Sequence, residues 1–376
     1  MKRFVKLLII SLLCVITAAG FAACGNKPSG SSDETGIICK KFNGDNFYTV
    51  IGYNAEEGVT SLDICAAAQQ KYGDDNTVIT VGRIKAGAFD GNSSLREIVV
   101  SDPVDGVDLT IDKGAFKNMK SLAKITLPFV GANAYSDAFY NQTAPALSDK
   151  TTTALKATDA ERSFGYIFGE EESDYASPIE MNYGSAKATY YIPVALREIV
   201  VKPQAEINIP MYAFCGLTQV SKITLDDSED GGKIAAIGEC AFKDMAQLSK
   251  INIPASVEVI YANAFEGTLN LKVFGENGFT FDANSTLKAI KESAFKGTSL
   301  TDFDLSGTAV TEIGDYAFYG SALTSFAFSG GITTVGAYAF ANSEKLETLT
   351  NKPADEVFGA TQEIRNTVFA GTKIDL

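Results

Sequence analysis

The stretch TEIGDYAFYGSALTSFAFSGGITTVGAYAF, residues 311–340, decides the fold of this 376-residue chain. It contains one whole repeat and the beginning of the next, because Ala317–Phe318 returns as Ala339–Phe340, 22 residues later. Between the two pairs, residues 323–328 follow the pattern L-x-x-F-x-F. Alternating apolar residues over so short a run are typical of a strand with one buried face.

The same unit recurs through most of the chain. A small or apolar residue followed by Phe is repeated at intervals of 22 to 30 residues, with one exception of 75, and a short apolar strand follows most copies. Periods of this length predict a leucine-rich solenoid, in which stacked coils bury one continuous core that no single coil could bury alone. We expect the Phe residues to form a column within that core: Phe89, Phe116, Phe139, Phe214, Phe242, Phe265, Phe295, Phe318, Phe340 and Phe369.

The exceptional interval lies between Phe139 and Phe214. The strand expected near residue 145 begins only at Leu196, so about 51 residues are inserted into one repeat, over approximately 141–191. The predicted fold class is therefore an α/β-type repeat protein, a β-rich leucine-rich-repeat solenoid with short helical or 3-10 turns and one large insertion.

The second half of the insertion is rich in aromatic residues. Insertions in repeat proteins project from one face and often carry binding residues. We therefore consider five aromatic side chains as candidate ligand contacts, and the alternative is that they pack the insertion onto the solenoid: Phe164, Tyr166, Phe168, Tyr175 and Tyr183.

The N-terminus predicts export. Residues 1–23 contain a basic start and an apolar segment too short for an ordinary membrane span, followed by Cys24, and this end resembles the lipobox of bacterial lipoproteins. The resemblance implies that Cys24 is lipidated and anchors the chain, whereas the alternative is cleavage after Ala23 and release. Residues 24–36 are polar and predict a flexible tether.

A cap and the solenoid are predicted to follow the tether. Residues 37–80 are assigned to an N-terminal cap, in which two alternating runs within residues 47–64 indicate a β-hairpin around Asn54–Gly58. A solenoid needs such a cap to cover its first exposed core face. The repeats are assigned to residues 81–376.

Composition restricts the chemistry that is available. The formal net charge is −14, which disfavours nucleic acid, and the chain has no His, which excludes Ser-His-Asp and Cys-His catalysis and the common His-based metal sites. An acidic run from Asp226 to Gly231 resembles the start of a calcium loop, but Ile237 stands where the bidentate Glu is required. We expect a solvated loop there, no metal and no cofactor.

Four cysteines remain after the predicted signal and Cys24: Cys39, Cys65, Cys215 and Cys240. They could form two disulfides, with three possible connectivities. No Cys-x-x-Cys spacing suggests a redox or zinc site. We favour buried thiols within the repeats for Cys215 and Cys240.

The repeat resembles the BspA-type leucine-rich repeat of bacterial surface proteins. Residues 313–318 (IGDYAF) and 248–254 (LSKINIP) carry that pattern, and residues 126–131 (TLPFVG), 164–169 (FGYIFG) and 191–193 (YIP) resemble an insertion that recurs in the family. The resemblance implies a cell-surface interaction protein, in some members an adhesin, and provides no catalytic residues.

We therefore expect a non-catalytic protein, anchored by lipid outside the cytoplasm at a bacterial surface, that recognises an extracellular protein or glycan. The alternative is a structural envelope protein that associates with itself and uses its repeats as a scaffold. A hydrolase built on a carboxylate pair is a third possibility, although no spacing among the 46 acidic residues singles out such a pair.

Overall fold

A computed structural model describes residues 35–74, 76–101, 107–134, 157–183, 186–227, 232–274, 281 and 284–375. The predicted signal, Cys24, Phe139 and the first part of the insertion lie outside these residues. Within them, no helix has both the length and the apolar character needed to cross a bilayer.

Short strands, most of them paired in parallel, dominate the described residues. They are β1 Gly36–Lys40, β2 Tyr48–Asn54, β3 Ser61–Asp63, β4 Val81–Ile84, β5 Glu97–Val99, β6 Thr110–Ile111, β7 Lys124–Leu127, β8 Ala176–Tyr183, β9 Ala186–Pro193, β10 Glu198–Val201, β11 Glu206–Ile209, β12 Lys222–Leu225, β13 Lys233–Ile237, β14 Lys250–Ile251, β15 Val259–Ile260, β16 Val273–Phe274, β17 Ala289–Ile290, β18 Asp302–Asp304, β19 Glu312–Ile313, β20 Ser325–Ala327, β21 Thr334–Val335 and β22 Thr348–Thr350. Helices α1 (Ile64–Tyr72) and α2 (Gln362–Val368) and three 3-10 helices complete the described elements: Ala157–Arg162, Phe164–Ile167 and Asp355–Phe358.

Each coil contributes strands to different sheets. One seven-stranded sheet has the order β16-β14-β12-β10-β7-β5-β3, and a six-stranded sheet has the order β11-β13-β15-β17-β19-β21. Strands β1-β2-β4-β6 and β18-β20-β22 form two further sheets. The predicted β-rich leucine-rich-repeat solenoid is confirmed.

The predicted column of Phe rings lies in the core. From Phe242 to Phe369, successive rings are 5.0–5.4 Å apart between centroids and tilted by only 3–7°. A backbone bond joins neighbouring coils at the same level, as where the Phe265 N–H donates to Ala294 O at 2.7 Å. These rings are buried, and burying each stabilises the fold by roughly 1.5–3 kcal/mol.

The insertion leaves the main sheet unbroken. Strand β7 pairs directly with β10 in parallel, with Ile125 opposite Ile199, although the two strands are more than 70 residues apart in sequence. Between them, β8 and β9 form an antiparallel hairpin outside the two large sheets.

The insertion also supplies a missing part of the Phe column. The Phe116 N–H donates to Ile167 O, and the Phe164 N–H donates to Ala213 O, both at 2.9 Å. The rings of Phe168 and Phe164 stand between those of Phe116 and Phe214. Ile167–Phe168 therefore occupies the place of an Ala–Phe pair, and the extra residues fall on both sides of it.

The hairpin predicted within residues 47–64 is wrong. Strand β2 pairs antiparallel with β1 and parallel with β4, whereas β3 pairs with β5 in another sheet. The reason is that β2 and β3 are two strands of one solenoid coil. Val50 from β2 and Leu62 from β3 are both buried in the common core. The coils therefore begin before residue 81.

Helix α1 covers the outer edge of β1. The Tyr72 hydroxyl accepts a hydrogen bond from Cys39 N (3.1 Å), and Lys71 Nζ donates to Thr35 O and Ile37 O at 2.8 and 2.9 Å. Asp63 caps the helix by accepting from Ala66 N. These contacts satisfy backbone groups that an edge strand would otherwise expose.

Candidate binding site

The five predicted contact residues do not form one surface. Phe164 and Phe168 are buried in the Phe column, which leaves them no surface for a large ligand, so the prediction of direct contact is wrong for this pair. Tyr166 is partly buried against the same core. Tyr183 ends β8, and its side chain lies outside the described part of the chain. Tyr175 alone of the five is an exposed side chain among those described, at 44%.

Glycine allows the aromatic segment to pack so closely. A Cβ at Gly165 would overlap the ring of Tyr190, which is itself buried, and Gly131 lies with φ +90 against the backbone of Glu161. Any larger residue at either position would separate the insertion from the coil.

Lysines of one coil hold the loop that follows the aromatic segment. Lys113 Nζ lies 2.7 Å from a carboxylate oxygen of Glu170, and Lys117 Nζ lies 2.7 Å from Glu171. Lys117 also lies 3.3 Å from Asp90, and its pKa is raised by its hydrogen bonds to Glu171 and Asp90. The acidic loop is thus fixed to the turns around Phe116 by charge.

The third lysine of this coil meets an aromatic ring instead of a carboxylate. Lys120 Nζ lies 4.5 Å from the ring centroid of Tyr175, within the range of a cation–π contact. The backbone positions that ring, since the Tyr175 N–H donates to Ser173 Oγ at 3.2 Å and its carbonyl accepts from Val194 N at 3.0 Å.

An open cleft of about 670 Å³ lies between the loop and two neighbouring turns. This volume is within the range of small-molecule sites. The lining is Gly91 and Ser93 from one turn, Asn118 and Lys120 from the next, and Glu172, Ser173, Asp174 and Tyr175 from the loop.

Hydrogen bonds between neighbouring turns hold the two walls of the cleft in place. Gly91 (φ +72) and Asn118 (φ +57) occupy equivalent left-handed positions two residues after a core Phe. Asn118 Nδ2 donates to Asp90 Oδ1 at 2.8 Å, and Ser121 Oγ donates to Ser93 O at 2.7 Å. A ligand would meet a surface that is largely formed in advance.

The cleft carries a negative balance. Glu172 and Asp174 make no ion pair with any residue in the described ranges, while Lys120 is the cationic residue of the lining. The arrangement combines one tyrosine ring, two carboxylates, an amide, two serine hydroxyls and an ammonium group. Such a set can bind a polar ligand, and it has no evident nucleophile–base pair.

Sequence reasoning missed most of this lining. The only signal was charge complementarity, because Lys113, Lys117 and Lys120 flank Phe116 while Glu170–Glu172 follow Phe168. Their contact depends on the Phe168 ring packing next to the Phe116 ring, which the repeat pattern alone did not predict.

The structure also tests the predictions made for the cysteines and for the acidic run. Cys215 and Cys240 are buried thiols, as predicted, and burial raises the pKa of Cys215 to about 11 and that of Cys240 to about 12. Cys39 is also a thiol, and Cys65 Sγ donates to Ser101 O at 3.4 Å.

In the acidic run, Asp226 lies 3.4 Å from Lys202, and Ser228–Gly231 fall outside the described residues. Over the parts of the chain that are described, no three acidic or Cys side chains cluster as a metal site would require.

Comparison with known families and structures gives one strong match. The model of the BspA type leucine rich repeat region matches residues 77–151, 188–278, 207–347 and 274–375, which together are more than half of the chain. No curated protein matches.

Comparison with solved structures finds partial similarity to other leucine-rich repeat proteins. A leucine rich repeat protein of T. pallidum is 23% identical over 49% of this chain and 83% of its own, with a TM-score of 0.37. One from Bacteroides ovatus is 16% identical over 84% and 70%, with a TM-score of 0.40. A protein described as a leucine rich cell surface protein, from Faecalibacterium prausnitzii, is 19% identical over 86% and 82%, with a TM-score of 0.30.

Proposed function

This chain belongs to the BspA-type leucine-rich repeat family, and we propose that it is a lipid-anchored binding protein at a bacterial cell surface. Its partner is an extracellular protein or glycan, and its role is recognition without catalysis. The observation that carries the proposal is the cleft beside Tyr175, whose exposed ring is held in place by its own backbone bonds.

Location and anchoring rest on the N-terminal sequence. The basic start, the apolar segment and Cys24 support export followed by lipidation, and two or three acyl chains on one Cys give durable anchoring. The test is the intact mass of the chain recovered from membranes, with Cys24→Ala as the matched variant. Release of Cys24→Ala into the medium supports anchoring, whereas membrane recovery of both forms without added lipid mass contradicts it.

The binding test uses single substitutions, because removing the insertion would also remove Phe164 and Phe168 from the core. We would measure binding of the full chain to cell-wall glycans and extracellular-matrix proteins, beside Tyr175→Ser and the control Tyr338→Asn. Tyr338 is an exposed tyrosine in another coil, and Asn263 occupies the equivalent left-handed position, so Asn is tolerated there.

Loss of binding in Tyr175→Ser alone is the expected result. Equal binding by both variants would move recognition away from the cleft. No binding by any form, together with concentration-dependent sedimentation, would favour the self-associating structural protein instead.

A further inference from the structure

We propose that the cleft binds an organic ammonium group, and that the ammonium of Lys120 occupies its place in the unbound protein. The proposal rests on the proposed function, because it takes the cleft as the binding site. Its starting observation is that Tyr175 already holds a cation of its own chain, at 4.5 Å from the ring centroid.

The charges of the cleft favour a cation. Glu172 and Asp174 lie on the same loop as Tyr175, line the same cleft and have no ion-pair partner among the residues described. Beside them, Lys117 is shared between Glu171 and Asp90. A cationic ligand would gain these carboxylates, whereas an anionic ligand would meet repulsion.

Lys120 is held more weakly than the other lysines of its coil. Lys113 and Lys117 are each 2.7 Å from a carboxylate oxygen, but Lys120 contacts a ring that is 44% exposed. A flexible lysine stem can leave that ring at little cost, while Lys113 and Lys117 keep the loop docked. The loop therefore does not have to open for a ligand to reach Tyr175.

The shared chemistry is an alkylammonium group, which amino sugars and lysine side chains both carry. Two pairs of probes differ by acetylation of the amine, which removes its charge: glucosamine with N-acetylglucosamine, and Nα-acetyl-lysine methylamide with its Nε-acetylated form. We would titrate each by calorimetry into the full chain at low and physiological salt. Stronger binding of the free amine in one pair identifies whether the source is a sugar or a peptide.

Four variants separate the contributions. Lys120→Met keeps the apolar stem, removes the competing charge and should tighten amine binding about two- to five-fold. Tyr175→Phe should keep binding, whereas Tyr175→Leu should weaken it about five- to thirty-fold. The double variant E172Q/D174N should weaken amine binding and reduce its salt dependence. Unchanged melting midpoints show that the variants fold.

Equal binding of the amine and its acetylated form, or weaker amine binding by Lys120→Met, would overturn this inference. If both probes of a pair bound equally and lost binding in Tyr175→Leu, the proposed function would stand and the ammonium preference would fail. If the binding of every probe and every macromolecular ligand were independent of Tyr175, both the proposed function and the ammonium preference would fail.

Discussion

A regular coil step and the insertion step solve the same packing problem in different ways. Between Phe265, Phe295 and Phe318, one ring per coil stacks on the next with tilts of 4° and 7°. Between Phe116 and Phe214 the insertion supplies two rings, and the successive tilts are 50°, 57° and 43°.

The difference shows which part of the repeat is essential. The Ala–Phe motif is replaced by Ile167–Phe168, and the ring geometry changes from stacked to tilted, but the backbone bonds to both neighbouring coils are kept. The solenoid therefore requires an unbroken aromatic column and an unbroken ladder of hydrogen bonds. The sequence around them can vary where another segment provides both.

The largest expected effect is removal of a ring from either kind of step. Phe265→Ala, Phe318→Ala and Phe164→Ala should each lower the free energy of unfolding by about 3–5 kcal/mol, because each empties a buried site. Denaturant unfolding of each variant measures the effect, with exposed Lys250→Ala as the control, for which we expect a change within about 0.5 kcal/mol. A Phe164→Ala loss as small as that of the control would show that the insertion step is not part of the core.

Glycine substitution sharpens the comparison. Gly131→Ala should cost roughly 2–5 kcal/mol, the sum of a left-handed backbone and a clash with Glu161 O. Gly297→Ala in a regular turn has the same sign of φ but no atom within 4 Å of the new Cβ, so it should cost only about 1–2 kcal/mol. The melting midpoints of the two variants measure the difference. Equal losses of stability would mean that Glu161 does not pack closely against Gly131.

Regular stacking can bring like charges to equivalent positions, since Glu239 and Glu292 each lie three residues before a core Phe. Burial, and secondarily the charge of Glu292, raise the pKa of Glu239. Since the folded pKa lies above the unfolded one, this carboxylate reduces stability as pH rises through the folded value. Glu239→Gln should therefore raise the melting midpoint at pH 7 by about 1–2 °C, with no gain below about pH 4. Exposed Glu344→Gln is the control, and a gain at pH 4 as large as at pH 7 would contradict the burial of this charge.

The smallest expected effect concerns the docked loop. Lys117→Met should change global stability by less than about 1 kcal/mol, because its ion pairs lie at the surface. Amide hydrogen exchange in residues 170–175 should nevertheless become faster. Lys373→Met, which breaks an exposed pair with Glu347, should leave that loop unchanged. Unaltered exchange in Lys117→Met would show that other contacts hold the loop.

Much of the fold was predictable because its signal is periodic. Each Phe of a regular coil lies at the same level as its neighbours, so the spacing alone placed Phe265 and Phe318 in one column. The runs around Val50 and Leu62 were interpreted as a hairpin because their alternating patterns indicate buried faces. Such a pattern does not identify the partner strand. Strand β2 pairs with the preceding strand β1, where Lys40 lies opposite Thr49, and the pattern within residues 47–64 does not indicate this partner.

Little of the candidate site was predictable. The aromatic composition of the insertion included Tyr175 among the candidates, but it could not distinguish that exposed ring from the buried rings of Phe164 and Phe168. Lys120 and Asn118 reach the cleft only because the insertion docks on their coil. No local pattern in their own repeat indicates that contact.

The regular spacing of the coils has a mechanical consequence. Since each coil is bonded mainly to its two neighbours, a force that separates the ends should strip coils from the terminus inward. Each regular coil of 22 residues, such as that from Phe318 to Phe340, would release about 75 Å of extended chain. The insertion would appear in such a force–extension record as one much longer event, at the place where two tilted rings replace one stacked ring.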